Sequence, residues 1–152
     1  MLHPAAQAYA ETRKRKENDR GCVLRVATAG HSLLLAADVE ARSEAEMIAR
    51  DRAALASEVL LIPHHGSKTS STAEFIDTVA PRVGLLSVGY RNRFHHPNAA
   101  VVARYTIRAV ELHRTDREGA LHITLPAQSH GRIGVDGQAR VVRYWSERRG
   151  DP

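Results

Sequence analysis

The sequence lacks the features that would cross-link, anchor or export it. Its 152 residues include one cysteine, Cys22, so no internal disulfide can form. The longest apolar runs fall far short of the roughly 20 residues that a membrane-spanning helix needs. The N-terminus has no apolar stretch of the signal-peptide kind. Gly-rich phosphate loops are also absent, which argues against a nucleotide bound through a P-loop or Rossmann turn. We therefore expect a soluble chain without a small nucleotide ligand.

The composition fits one globular domain with a real core. Apolar residues make up 43% of the chain and charged residues 26%. The net charge of +5 permits a polyanionic partner such as nucleic acid, although a solvated basic surface explains it equally well. Residues 1–21, with the basic run Arg13–Lys16, read as a polar arm or linker. Residues 22–147 form the predicted folded region, and residues 148–152 a frayed tail.

Hydrophobic periodicity predicts an α/β layered fold. Cys22 lies in a strand-like stretch and is expected to be a small buried core residue rather than a nucleophile. A capping box over Ser71–Glu74 should start a helix that runs to Val79, and Pro97 suits the first turn of the next helix. The expected strands are Cys22–Thr28 and Leu33–Ala37 as a hairpin, then Val59–Ile62, Val83–Val88, Val110–His113, Gly119–Leu125 and Gln138–Tyr144. The expected helices are Glu40 to about Leu55, Ser71–Val79 and Asn98–Ile107.

One stretch joins a buried strand to two histidines. Val59–Ile62 is a continuous apolar run that stops at Pro63, which cannot donate to a sheet ladder. His64 and His65 follow at once, at the strand's carboxyl end, where open α/β sheets place ligand sites. A turn with two surface histidines remains the alternative for this pair taken by itself.

Polar residues follow three further apolar strands. Asp38 ends the second strand, a loop from Tyr90 to His96 follows the fourth, and Asp116 follows the fifth. If these strands are parallel, their ends converge with His64 and His65 on one edge. Carboxylate and neutral imidazole are ligands for zinc, manganese or non-haem iron, and nearby arginines suit an anionic substrate such as a phosphodiester.

Each of these residues also has a structural interpretation. Asp38 is a reasonable helix N-cap, Asp116 a turn residue, and His96 a cap before Pro97. Tyr90 can be a packing residue with its hydroxyl at the surface. The coincidence of all of them at strand ends favours a shared site.

Four strings in order carry a resemblance to a known family. The sequence resembles the metallo-β-lactamase-like domain at the C-terminus of the ComEC family, the inner-membrane DNA-uptake channel of natural competence. The similarity runs from Leu2 to about Leu125. The strings are Leu33–Glu40 (LLLAADVE), Val59–Ser71 (VLLIPHHGSKTSS), Ser87–Pro97 (SVGYRNRFHHP) and Arg114–Gly119 (RTDREG).

The resemblance implies an αββα sandwich and a metal-dependent phosphodiesterase or nuclease that acts on DNA during uptake. It implies that Asp38 is the metal-bridging carboxylate and His65 a late metal ligand, with His64 a neighbour of the ligands or an alternative one. The metal expected in the intact domain is zinc or manganese. Residues expected at the rim of the cleft, against the substrate, are Arg91, Asn92, Arg93, His96 and Ser67. Tyr90 and Asp116 have secondary roles.

The sequence departs from the family pattern in ways that bear on activity. The leading His-x-His-x-Asp-His motif is absent, so we expect only the second half of the sandwich, with weak or no metal binding and no activity by itself. Ala37 and His95 stand where the family usually has glycine, and Asn18-Asp19-Arg20-Gly21 replaces the usual Asn-Asp-x-Ser.

The resemblance also implies a parent protein in the bacterial inner membrane, with this domain outside the bilayer. The expected partners are DNA and either the membrane channel part of the parent or a complementing half-domain. A non-catalytic basic DNA-binding module is the main alternative, and a degenerate remnant with a structural role is a third.

Overall fold

The computed structural model describes residues 1–5, 16–128 and 130–138. Its centre is a five-stranded sheet in the order β1-β2-β3-β4-β5, and a separate two-stranded sheet pairs β6 with β7. The α/β class predicted from the sequence is confirmed. The strands are β1 Leu24–Ala27, β2 Ser32–Leu35, β3 Val59–Leu61, β4 Val83–Leu86, β5 Glu111–Arg114, β6 Leu121–Thr124 and β7 Gly134–Gly137.

The strand directions bring the predicted ends to one edge. β1 pairs with β2 as an antiparallel hairpin, and β2 to β5 are all parallel. The predicted hairpin and parallel alternation are therefore confirmed. β6 and β7 form an antiparallel pair. β7 lies before the predicted final strand Gln138–Tyr144, which falls almost entirely outside the described residues.

Within the described residues, four α-helices connect or follow the strands. They are α1 Ala41–Asp51, α2 Ala73–Val79, α3 Ala99–Ile107 and α4 Thr115–Glu118. The first three agree with the predicted helices to within a few residues, and a 3₁₀ turn over Ala53–Leu55 extends α1. No helix in the described part of the chain is long and apolar enough to cross a membrane.

The apolar run of β3 serves two cores because successive strand side chains point to opposite faces. Leu60 and Ile62 belong to the larger core, which includes residues of α1, α2 and α3. Val59 and Leu61 lie with the smaller core, which includes apolar residues of β6 and β7. One face of the sheet is thus covered by helices and the other by a β-hairpin.

A buried carboxylate ties α1 to the start of α2. Glu44 is fully buried, and its two oxygens accept hydrogen bonds from the backbone amides of Ser71 at 2.5 Å and Thr72 at 2.9 Å. Tyr105 of α3 donates to the Ser71 hydroxyl at 3.0 Å, and Arg104 donates to the Ser71 carbonyl at 2.8 Å. These hydrogen bonds fix the loop that follows His64 and His65.

Three local predictions are corrected by the structure. Cys22 is exposed rather than buried, because it precedes β1, an edge strand whose residues all face solvent. The N-cap of α2 is Thr72, whose hydroxyl accepts from the Phe75 amide, so the cap lies one residue later than predicted and the third helical residue is not the glutamate of a capping box. Pro97 lies before α3 rather than in its first turn, since Asn98 is the N-cap.

Part of the predicted N-terminal arm contacts the folded region. His3 is buried and its Nε2 lies 2.8 Å from the carbonyl oxygen of Asp19, itself buried. The Asp19 carboxylate accepts a hydrogen bond from Ser43 of α1 at 2.7 Å. Of the predicted basic run, Arg13–Arg15 lie outside the described residues, and Lys16 forms an ion pair with Glu40 at 2.6 Å.

We predict that Glu44→Ala destabilises the protein by about 2–4 kcal/mol. The change leaves two buried amides without acceptors and removes packed volume. Chemical denaturation at neutral pH measures the loss. Glu46→Ala on the same helix is the control, since Glu46 accepts a hydrogen bond from Arg42 at the surface, and it should cost only about 0.5 kcal/mol. Equal losses in the two variants would contradict the role given to Glu44.

The same carboxyl predicts a pH dependence of stability. Burial, the largest influence, raises the pKa of Glu44 above its ordinary value of 4.5 despite the opposing hydrogen bonds. At pH values between the pKa of Glu44 in the unfolded chain and its raised pKa in the folded protein, the folded state binds more protons. The contribution of Glu44 to stability therefore grows as the pH falls and is lost as the pH rises. We expect the wild-type protein to gain stability relative to Glu44→Gln when the pH is lowered from 7 towards about 4.5. Parallel denaturation curves of the two proteins would contradict this.

Candidate functional site

The ends of β2 and β3 bring Asp38 and His65 together. The His65 Nε2 atom lies 3.5 Å from the Asp38 Oδ1 atom, and each side chain is about half exposed. The two residues are 27 positions apart in the sequence, and the parallel pairing of the strands places them side by side. The predicted convergence of strand ends is confirmed for this pair.

A backbone carbonyl sets the orientation of the His65 ring. The Nδ1 atom lies 2.7 Å from the carbonyl oxygen of Ser87, just beyond β4. A carbonyl can only accept, so Nδ1 carries a proton and the neutral ring has its free lone pair on Nε2. That lone pair is on the atom nearest to the Asp38 carboxylate.

His64 has a different environment from His65. Its Nε2 accepts from the Asn18 amide at 3.4 Å, and its Nδ1 lies 3.4 Å from the Thr69 hydroxyl and 3.7 Å from Glu40 Oε1. A hydrogen bond from Lys16 holds the pKa of Glu40 below its ordinary value. His64 therefore faces a charged, hydrogen-bonded cluster, whereas His65 faces Asp38.

His96 completes a group of three imidazoles at this edge. Its ring centroid is 5.9 Å from that of His64, which is 6.4 Å from that of His65. Burial, followed by repulsion from His64 and His65, lowers the pKa of His96. The neutral form of His96 is thus favoured near neutral pH.

The two histidine loops meet at Gly66. A Cβ atom at Gly66 would lie 2.7 Å from the Pro97 Cβ and 3.0 Å from the Leu86 side chain, and its φ of +76° is left-handed. The Gly66 carbonyl also accepts from the Asn98 amide at 2.9 Å. The absence of a side chain at Gly66 therefore lets the His96–Pro97 segment approach the loop of the paired histidines.

Both positions where the family usually has glycine adopt left-handed backbone. Ala37 has a φ of 49° and His95 a φ of 54°. Only glycine takes this conformation without a steric cost. A glycine at either position would remove that cost.

The residues expected at the cleft rim lie in two loops. Arg91, Arg93 and Tyr90 are exposed. The Asn92 side chain bonds the His96 backbone twice, donating to its carbonyl at 2.8 Å and accepting from its amide at 2.9 Å. Ser67 is buried, with its hydroxyl 3.1 Å from that of Thr69. Their roles in substrate binding stay predictions.

Asp116 is held by an arginine. It lies in α4, and Arg114 donates to both of its carboxylate oxygens, at 3.0 and 2.7 Å. These hydrogen bonds are the main cause of its lowered pKa. Its side chain therefore supports the end of β5, as the turn interpretation of this residue allows.

Two features of the site were not predicted from the sequence. The Ser87 carbonyl, which orients His65, is a backbone group and leaves no residue-type signal. Glu40, which faces His64, follows Asp38 by two residues, and this Asp-Val-Glu spacing was the available signal. Within residues 1–5, 16–128 and 130–138, no three histidine, cysteine or acidic side chains are grouped so that they could hold a metal ion.

We predict that Gly66→Ala destabilises the protein by about 2–4 kcal/mol. The new methyl group would meet Pro97 in a left-handed backbone that alanine disfavours. Gly89→Ala is the matched control, since its Cβ would meet nothing closer than 3.9 Å, and it should change stability by less than about 1 kcal/mol. Thermal denaturation measures both, and a neutral Gly66→Ala would contradict the close packing of the two loops.

Curated relatives of the chain include competence and recombination proteins. Competence protein ComA of Neisseria gonorrhoeae is 37% identical over 141 residues, which are 91% of this chain and 20% of that protein. ComE operon protein 3 of Bacillus subtilis is 33% identical over 105 residues, 69% of this chain and 13% of that protein. Recombination protein 2 of Haemophilus influenzae is 36% identical over 90 residues, 59% of this chain and 11% of that protein.

No protein-family model and no solved structure matches the chain. The alignments with the Neisseria and Bacillus proteins each cover more than two thirds of this chain. These homologues are ComEC-family competence proteins, and the chain aligns with a fifth or less of the length of each.

Proposed function

We propose that this chain forms one wall of a metal-dependent phosphodiesterase site that acts on DNA during competence. Asp38 and His65 are two of its metal ligands in this proposal. The observation that carries it is the 3.5 Å approach of the His65 Nε2 lone pair to the Asp38 carboxylate, with Nδ1 committed to the Ser87 carbonyl. DNA as the substrate class is supported by the competence relatives.

The two side chains fit a divalent metal. The His65 Nε2 lone pair and the Asp38 carboxylate oxygen are both acceptors and cannot form a hydrogen bond with each other. Their proximity therefore favours a proton or a cation between them. Two ligands of a tetrahedral zinc at bond lengths of about 2.0–2.1 Å lie about 3.4 Å apart, close to the separation seen here. A histidine that donates its other ring N–H to a carbonyl is the arrangement typical of metal-ligating imidazoles. Zinc and manganese both accept this ligand pair.

The surrounding residues would serve binding and orientation. A bound metal would polarise a phosphoryl oxygen and lower the pKa of a coordinated water. Arg91 and Arg93, exposed on the loop that ends at His96, would contact the phosphodiester backbone. The Ser87 carbonyl would keep the His65 ring in its ligating orientation.

Two ligands are too few for a catalytic centre. Catalytic zinc sites use three protein ligands and one open position. In our proposal the remaining ligands come from the family's His-x-His-x-Asp-His motif, which this sequence does not contain, on the membrane-channel parent or a complementing half-domain. The layers of helices, sheet and hairpin support an assignment as half of an αββα sandwich. We expect a parent in the bacterial inner membrane with this domain outside the bilayer.

Metal binding tests the assignment of the two ligands. We expect the purified chain to bind Zn²⁺ or Mn²⁺ weakly, and Asp38→Asn or His65→Ala to weaken binding roughly tenfold or more. His122→Ala, an exposed histidine of β6, is the matched control and should leave affinity unchanged. Calorimetric titration measures all four proteins. Unchanged affinity in both ligand variants would overturn the assignment.

DNA cleavage tests the need for further ligands. We expect no cleavage of single- or double-stranded DNA by the purified chain with either metal, because the ligand set is incomplete. Robust metal-dependent cleavage that Asp38→Asn abolishes would place a complete site in this chain.

A second candidate function is a non-catalytic DNA-binding module. It is favoured by the net charge of +5 and by the exposed Arg91 and Arg93 beside a ligand group that is incomplete among the described residues. In that case DNA binding would weaken steeply with salt and no metal would be taken up. The calorimetric titration separates the two functions.

A further inference from the structure

The loop from Gly89 to His96, here called the aromatic loop, exposes two large rings to solvent. The side chains of Tyr90 and Phe94 are 57% and 65% exposed. The other two phenylalanine or tyrosine residues in the described part of the chain, Phe75 and Tyr105, are fully buried in the core. Exposed rings so close in sequence are a feature that folding does not require.

An arginine guanidinium lies over each exposed ring. The guanidinium carbon of Arg91 lies 5.1 Å from the centre of the Tyr90 ring, and that of Arg93 lies 4.9 Å from the centre of the Phe94 ring. Neither guanidinium is paired with a carboxylate within the part of the chain that the structure describes. The loop thus alternates aromatic faces with unneutralised positive charge.

The aromatic loop is held in shape before any ligand arrives. Asn92 closes it through the two hydrogen bonds to the His96 backbone, and the His95 amide donates to the Asn92 carbonyl at 3.2 Å. The Phe94 ring also stacks on the His96 imidazole, with centroids 6.0 Å apart and planes 21° apart. A preformed surface loses little entropy when a ligand binds.

The aromatic loop lies at the same edge as the candidate metal pair. The His96 ring, on which Phe94 stacks, is 5.9 Å from His64, and His64 is followed directly by His65. A polymer bound along the loop would therefore run towards Asp38 and His65.

We propose that the aromatic loop binds single-stranded DNA by stacking bases on Tyr90 and Phe94, while Arg91 and Arg93 contact its phosphates. Alternating rings and cations match alternating bases and phosphates, and every base has a face that can stack. Duplex DNA hides those faces inside its own stack, so the loop selects unpaired strands. The inference rests on the proposed function for its substrate and adds the strandedness and the residues that recognise it.

Fluorescence anisotropy with a labelled oligothymidine in EDTA at low salt tests the proposal. We expect Tyr90→Ala and Phe94→Ala each to weaken binding by about 5- to 150-fold. Tyr90→Phe, which keeps the ring, should bind within about twofold of wild type. Ile107→Ala removes a side chain that is 82% exposed at the end of α3 and should have no effect. Unchanged affinity in both alanine variants would overturn the proposal.

An abasic oligonucleotide of equal length separates stacking from charge. The abasic strand retains the phosphates but has no bases to stack. Wild type and the Tyr90→Ala/Phe94→Ala double variant should therefore bind the abasic strand with the same weak affinity. Arg91→Gln and Arg93→Gln should instead reduce the slope of log affinity against log salt by about 0.7 for each phosphate that is no longer neutralised. A ring-dependent decrease in affinity that is equally large on the abasic strand, or on duplex DNA, would overturn the stacking role.

The experiment also distinguishes the two proposals when one of them fails. Binding of oligothymidine in EDTA does not need the metal pair, so strand binding and metal uptake are measured independently of each other. Ring-dependent strand binding without metal uptake would remove the phosphodiesterase proposal and leave this one standing. Metal uptake at Asp38 and His65 without any binding of oligothymidine would remove this one alone.

Discussion

The buried carboxylate of Glu44 is the interaction on which the candidate site depends. A charged group inside the core is tolerated only when donors surround it, and the consecutive amides of Ser71 and Thr72 supply them. Those amides belong to the segment that follows the paired histidines. Its path is therefore fixed from α1, and Tyr105 and Arg104 fix it again from α3. The histidines therefore lead into a segment that is held by side chains of two different helices, α1 and α3.

Most of the fold could be predicted because its strands carry a strong apolar signal. The run Val59–Ile62 reads as a doubly covered strand, and its side chains do alternate between two cores. The prediction for Cys22 was wrong because a short apolar stretch looks the same at an edge as at the centre of a sheet. The cap of α2 was misplaced by one residue because Ser71 and Thr72 are both good caps, and tertiary bonds to Glu44 and Tyr105 decided between them.

The candidate site was predictable where residue type and strand ends sufficed. Asp38 and His65 meet as the parallel alternation implied, although their role as ligands stays a prediction. What could not be predicted was which way each ring faces. The orientation of the His65 ring towards Asp38 depends on the Ser87 carbonyl just beyond β4, and that of the His64 ring depends on Asn18 and Glu40. Such orientations arise from packing between segments distant in sequence, which a linear pattern does not encode.

The joint between Gly66 and Pro97 has a consequence for any polymer held at this edge. The paired histidines lead into Gly66, and the aromatic loop ends one residue before Pro97, so both segments share one tight contact without a hinge. The distance from the exposed rings to Asp38 and His65 is then set by the fold. A strand gripped by the rings would reach the carboxylate–imidazole pair at a set number of nucleotides from the grip. Such a surface would select by distance along the strand and not by base sequence.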